Sequence, residues 1–255
     1  MKLSLPQGEI EYIHHRTGVP ENAPTIILLH EGLGSVSMWK EFPEQLCEHT
    51  GCAVLVYSRF GYGASSKVSL PRPLNYMHIE GQEILPQLIE ALVPGNYFLF
   101  GHSDGASIAA IYSGEFKHGR HKGTILLAPH FFTEEVGLKS IAIARQVYEN
   151  GNLRERLERY HANVDNAFYG WNGAWLDPDF TLWNIESFLP KIDVPILAIQ
   201  GKEDEYGTRA QIDTITRNCK VRVSVSMLAE CGHSPHRDQC EKTLNAVSSF
   251  ISRAE

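Results

Sequence analysis

The pentapeptide Gly101-His102-Ser103-Asp104-Gly105 sets a serine between two glycines, directly after the apolar run Tyr97-Phe98-Leu99-Phe100 and directly before Ala106-Ser107-Ile108-Ala109-Ala110. A strand-length run that passes at once into a helical one makes Ser103 the pivot of a sharp turn. Glycines two residues to either side remove the Cβ atoms that would collide there. The amides that open the following helix point at the place where an oxyanion would develop on an attacked carbonyl. A serine hydroxyl attacks only when a base takes its proton, and the base needs an acid to orient it. Asp204 stands in Gly201-Lys202-Glu203-Asp204-Glu205, just past the strand-like Pro195-Ile196-Leu197-Ala198-Ile199-Gln200, with Glu203 and Glu205 as competitors. His233 stands in Glu230-Cys231-Gly232-His233-Ser234-Pro235-His236, where Gly232 permits the tight loop that a projecting imidazole needs. His236 is the alternative base, expected on the first turn of the last helix and less suited to project inward.

These residues need a frame that brings three distant loops to one edge. Strand-length apolar runs at Glu9 to His14, Thr25 to Leu29, Ala53 to Tyr57, Tyr97 to Phe100, Thr124 to Leu127, Ile196 to Gln200 and Val221 to Met227 alternate with helical patterns. The helical patterns run over Met38 to Glu48, Tyr76 to Leu92, Ala106 to Phe116, Arg209 to Asn218 and Glu241 to Ser252. Several strands are apolar on both faces, as buried parallel strands are, and the alternation predicts an α/β fold. Pro86 must kink or split the second helix. The alternation fails once, between about Pro129 and Pro190, where helical pattern continues at Ser140 to Tyr148 and Leu153 to Val164 without a strand. Trp171, Trp175 and Trp183 lie in the aromatic stretch that follows, from Phe168 to Phe188. Such a cluster either holds the inserted segment onto the core or lines a pocket for an apolar ligand.

Composition narrows the partners. The 255 residues are 43% hydrophobic and 21% charged, which excludes disorder and coiled coil. No apolar stretch approaches the ~20 residues that cross a bilayer, and the first residues show no secretory pattern, so no membrane is expected and cytoplasm is the expected location. A net charge of −7 without a long basic cluster argues against nucleic acid. The five cysteines contain no Cys-x-x-Cys and read as reduced thiols. Twelve histidines contain no His-Glu-x-x-His, so no metal or other cofactor is expected.

With Ser103, Asp204 and His233 in that order, the chain resembles the α/β-hydrolase fold family over essentially its whole length. His30-Glu31-Gly32-Leu33-Gly34 matches the family's oxyanion loop, and Ser58-Arg59-Phe60-Gly61-Tyr62-Gly63-Ala64-Ser65 matches its G-x-G-x-S loop. The resemblance implies a mostly parallel twisted β-sheet flanked by helices, a core of residues 1–129 and 190–255, and a helical cap over 130–189. It also implies an oxyanion hole made by the amide of Gly32 or Leu33 together with that of Asp104. The expected reaction is cleavage of a small apolar or aromatic carboxylic ester, or a related lactone, amide or carbon–carbon acyl bond, through an acyl-enzyme on Ser103. Similar scaffolds also serve as cofactor-free haloperoxidases, lyases and small-molecule receptors. The expected partner is a small ester-like molecule, and the expected state is a monomer or a homodimer, between which the sequence does not choose.

Two acidic residues depart from the family pattern: Glu31 follows the loop histidine and Asp104 follows the nucleophile. One reading pairs them structurally, with Arg59 as partner for Glu31. The other makes them substrate-binding residues beside Trp171, Trp175 and Trp183, with Asp104 receiving a substrate amino group as the corresponding aspartate does in similar amino-acid-ester hydrolases. His30 and His102 are read as braces of the active-site loops.

Overall fold

The computed structural model describes residues 1–254. Eight strands, β1 (Lys2–Leu5), β2 (Gly8–His15), β3 (Thr25–Leu29), β4 (Ala53–Tyr57), β5 (Tyr97–His102), β6 (His121–Leu127), β7 (Ile196–Gly201) and β8 (Val223–Leu228), form one sheet in the order β1-β2-β4-β3-β5-β6-β7-β8. The first three in that order pair antiparallel and all later neighbours pair parallel. The parallel arrangement sends the carboxyl ends of β3, β5, β7 and β8 to the same edge, which is where such sheets place ligands.

The two-residue period of the strands divides the apolar core. Ile27, Leu29, Leu55, Tyr57, Leu99 and Leu126 pack on one face, whereas Ile26, Leu28, Val54, Val56, Phe100 and Leu127 pack on the other. The helices Phe42–Thr50 and Cys240–Ile251 cover the second face. The first face receives the helix Asp104–Glu115 and, continuous with it, Trp171, Trp175, Phe180 and Trp183. The aromatic stretch therefore belongs to the main core cluster and anchors the inserted segment to the sheet.

Several local expectations are corrected. β1 was not among the expected strands, because four half-exposed residues carry too little pattern; it forms by hairpin pairing, Leu5 opposite Gly8. Met38 to Glu48 is not one helix: a 3-10 turn, Val36–Trp39, ends at Lys40 with φ of 53°, and Pro43 then stands in the first turn of Phe42–Thr50. Pro86 splits the next helix through a π-segment, Glu80–Ile84, where the Leu85 amide donates to the Glu80 carbonyl before Leu85–Leu92 resumes α geometry. The helix expected from Leu153 to Val164 stops at Glu158, and a new one runs over Val164–Trp175. Between them the Ala162 amide donates to the Gly63 carbonyl at 2.9 Å, so the core loop takes the backbone that a continuous helix would use. His236 lies on a separate short helix, Pro235–Asp238, not on the last one. Among the described residues no helix is long and apolar enough to cross a membrane.

Candidate active site

Ser103 follows β5 and opens the helix Asp104–Glu115 with φ 54° and ψ −118°, a conformation that costs a non-glycine residue about 1–3 kcal/mol. The flanking glycines explain how the turn closes. A Cβ on Gly101 would stand 2.2 Å from the Gly105 carbonyl oxygen, and one on Gly105 would stand 2.1 Å from that of Leu29. The Ser103 amide donates to the Leu127 carbonyl at 2.9 Å, which fixes the turn to β6. Asp104 begins the helix, and the amides of Ala106 and Ser107 donate back to the Ser103 carbonyl at 2.8 and 3.1 Å.

His233 comes from the loop after β8 and Asp204 from the loop after β7. The His233 Nδ1–H donates to Asp204 Oδ1 at 2.8 Å, which leaves Nε2 as the basic nitrogen. Asp204 also accepts from the amide of Tyr206 and from Gln200 Nε2, at 2.9 and 3.1 Å. Burial alone would raise the Asp204 carboxyl, but the His233 hydrogen bond and charge, with the Tyr206 amide, hold it well below the usual carboxylate range. The competitors have other work: Glu203 accepts from the Cys231 amide at 2.9 Å and Glu205 from the His233 amide at 3.2 Å. Both carboxylates thus hold the histidine loop by its backbone. The His233 carbonyl accepts from His102 Nε2 at 2.7 Å, and the Tyr206 ring lies 4.7 Å from the imidazole. His236 is buried against Trp39, Phe42 and His102, away from the cavity.

Ser103 and His233 face a cavity of about 560 Å³ whose walls include Glu31, Gly32, Leu33 and Trp171. Gly32 has a steric reason to be glycine, since a Cβ there would meet Trp171 Nε1 at 2.1 Å. His30 braces the loop that carries it: the Arg59 amide donates to His30 Nε2 at 3.0 Å, and Nδ1 donates to the Glu31 carbonyl at 2.7 Å. His161, which the sequence offered no reason to single out, accepts from the Gly63 amide at 3.0 Å and donates to the Leu33 carbonyl at 2.9 Å. One imidazole from the inserted segment therefore ties together the two glycine-containing loops of the core. Its partners lie 98 and 128 residues away, beyond any local pattern.

The acidic departures are built differently from either expectation. Glu31 turns its carboxylate to His102, 3.6 Å away, and to Arg237, 3.9 Å away, not to Arg59. Burial opposes its ionisation, yet the nearby His102 imidazole and, less so, the Arg237 guanidinium hold the carboxyl well below its ordinary value. Arg59 instead lies 3.7 Å from Asp104, both side chains almost fully buried, and donates to the Glu31 carbonyl at 2.9 Å. Asp104 further accepts from Tyr76 Oη at 2.5 Å and from Trp175 Nε1 at 3.1 Å. Its carboxylate is closed off behind the nucleophile and is withdrawn as an acceptor of a substrate amino group. Trp175, occupied in this network, and Trp183, which lines a separate surface hollow with His78 and Asn184, are likewise withdrawn as lining of the Ser103 cavity. Of the three tryptophans, Trp171 alone lines the cavity at Ser103. Removing the Tyr76 hydroxyl would leave a buried carboxylate short of one partner, so Tyr76→Phe is expected to destabilise the fold by about 1.5–3 kcal/mol in denaturant titrations. A change below about 0.5 kcal/mol, an ordinary surface value, would show that the bond carries nothing.

Comparison with known proteins accords with this architecture. A family model described as "Alpha/beta hydrolase family" matches residues 26–246. No curated protein sequence matches the chain. Among solved structures it is similar to a carboxylesterase of the thaumarchaeon Nitrososphaera gargenis, at 17% identity and a TM-score of 0.79, covering 100% of this chain and 98% of that one. It is also similar to an enol-lactonase of Burkholderia xenovorans, at 19% identity and a TM-score of 0.74, covering 99% and 100%. A proline iminopeptidase of Mycobacterium smegmatis superposes at a TM-score of 0.72 with 16% identity, covering 100% and 98%. At these identities the likeness speaks for the fold.

Proposed function

The chain belongs to the alpha/beta hydrolase family, and from that premise we propose that it is a serine hydrolase that cleaves a small carboxylic ester, or a related lactone, amide or carbon–carbon acyl bond. The observation that carries this reading is the strained Ser103 facing the same cavity as a histidine whose far nitrogen is held by a buried aspartate.

Ser103 Oγ attacks the carbonyl carbon while His233 Nε2 takes its proton, and Asp204 orients the ring and stabilises the imidazolium that results. The carbonyl oxygen becomes an anion held by the Asp104 amide and by that of Gly32 or Leu33. His233 then returns the proton to the leaving oxygen, sulfur, nitrogen or carbon, and the carbonyl re-forms as an acyl ester of Ser103. Water, activated by the same imidazole, attacks this ester, so that a carboxylic acid departs and the serine regains its proton. Leu33, Trp171 and Tyr206 give the cavity apolar walls against which a small acyl or aromatic group fits.

The test pairs labelling with turnover. A fluorophosphonate is expected to modify the wild-type protein stoichiometrically at Ser103, and 4-nitrophenyl esters of short, long and aromatic acids are expected to be hydrolysed. Labelling without turnover of any ester would move the assignment to another acyl bond. Absence of labelling, with a ligand that raises the melting temperature, would replace hydrolysis by a receptor role.

A further inference from the structure

Leu33, Arg156 and Arg237 line two hollows at once. One is the cavity in front of Ser103 and His233, and the other is an adjoining groove of about 300 Å³ that also contains Lys40, Arg159, Leu153, Leu157 and Tyr160. Four cationic side chains thus border a groove that has no carboxylate in its lining, in a chain whose formal net charge is −7. Arg237 is partly engaged, donating to the Met38 carbonyl at 3.1 Å and lying 3.9 Å from Glu31 Oε1. Among the described residues, Lys40, Arg156 and Arg159 have no ion-pair partner.

The contrast with the other cations of the inserted segment is informative. Lys139, Arg145 and Arg154 each meet a glutamate four residues away in sequence, Glu135, Glu149 and Glu158. Arg156 shares the short helix Leu153–Glu158 with Arg154 but stands on the groove side, unmatched. Like charges left together in a concave surface repel one another and leave a positive field that a bound anion would relieve. Guanidinium groups present planar forks that suit phosphate and carboxylate oxygens. The apolar side chains between them, Leu153, Leu157 and Tyr160, suit the uncharged stem of a ligand that reaches from one hollow into the other.

On the serine-hydrolase reading above, we propose that this groove is a subsite for an anionic group, phosphate or carboxylate, carried on the substrate several bonds from the scissile carbonyl. The preferred substrate is then an ester or thioester with an apolar stem and a charged end, and Arg156 and Arg237 stand where the two hollows meet.

Two matched substrate pairs test it. The first is the butyryl thioester of pantetheine against that of 4′-phosphopantetheine, the second member of which adds only a phosphate at the end of the leaving arm. The second is the 4-nitrophenyl monoester of suberic acid against its methyl-capped counterpart, which adds a carboxylate on the acyl arm. The charged member of at least one pair is expected to show a kcat/KM about tenfold or more above its neutral partner, the lower end of what a focused field supplies. That ratio is expected to shrink severalfold between about 20 mM and about 300 mM salt, as screening shortens the reach of the charges. It is also expected to shrink in the exposed double variant Arg156→Gln/Arg159→Gln. The pair that responds tells phosphate from carboxylate and one arm from the other. Ratios near one in both pairs, or a ratio indifferent to salt and to the double substitution, would overturn the subsite. Neutral substrates still turned over would leave the hydrolase reading standing in that case. Failure of every substrate together with absence of fluorophosphonate labelling would instead remove the hydrolase reading, and the subsite with it.

Discussion

Replacement of Ser103 by alanine is expected to lower kcat for any cleaved ester by roughly 10⁴–10⁶, with fluorophosphonate labelling lost and the fold retained. The size follows from what remains. Without Oγ there is no acyl-enzyme, and His233 with the oxyanion amides can at best direct water slowly to the carbonyl. The same position allows a second readout, because Ser103 sits at φ 54°, where a side chain is strained. Ser103→Gly is therefore expected to be as inactive as Ser103→Ala yet more stable, by about 1 kcal/mol, since glycine occupies that region freely. Activity within about tenfold of wild type in Ser103→Ala would remove the nucleophile assignment, whatever happened to stability.

Acid is expected to unfold the protein well above the pH at which carboxylates alone would account for it. Burial pulls His130 down from 6.5 to about 3, with the neighbouring His233 charge adding to the effect, and pulls His121 down to about 4. Burial also holds His30 and His236 well below their ordinary value. These histidines are neutral in the folded chain and take up protons once unfolded. Their contribution to stability is fully present above pH 6.5 and is lost as pH falls from there toward the folded values. For His130 and His121 the loss reaches about 3 kcal/mol each near pH 4, comparable together with the ~5–15 kcal/mol that stabilise a typical domain. Asp204 adds a loss of the same sign at still lower pH, because its carboxylate is held ionised by His233. Glu80, whose carboxyl burial raises, works weakly in the opposite direction. Melting temperatures measured between about pH 7.5 and pH 4 should fall steeply below pH 6.5, and His121→Gln should flatten part of that slope. A melting temperature unchanged down to pH 4.5 would show that these side chains reach solvent.

Much of this was legible in the sequence for a physical reason. Parallel strands buried on both faces read as short apolar runs, and Ser103 and Asp204 each follow such a run, while His233 follows the alternating, half-exposed Val223–Leu228, so their separation along the chain does not hide their common edge. What stayed hidden depends on which way a buried side chain turns. Arg59 was a plausible partner for Glu31 by proximity along two neighbouring loops, but its guanidinium passes beneath that loop and meets Asp104. Asp104 next to a nucleophile invites a catalytic or binding role, yet each residue of a helix is turned by about 100° from the one before, and this one turns into the core, where Tyr76 and Trp175 receive it. Three tryptophans within one segment have the same composition whether they line a pocket or hold a surface down. Only the helix Val164–Trp175 and the turn after it decide that Trp171 faces the cavity while Trp175 and Trp183 do not.

The bonds of His161 have a consequence for anyone who would exchange segments between members of this fold. The residue belongs to the segment between β6 and β7, but its imidazole accepts from Gly63 and donates to the Leu33 carbonyl, one residue from Gly32 in the loop proposed to hold the oxyanion. A chimera that keeps the sheet and grafts a foreign segment in place of residues 130–189 would therefore remove a fastening of the core, not merely a covering. Both core loops are held by their backbone to that histidine, and a transplanted segment lacking an equivalent would be expected to blunt catalysis on every substrate alike instead of redirecting it.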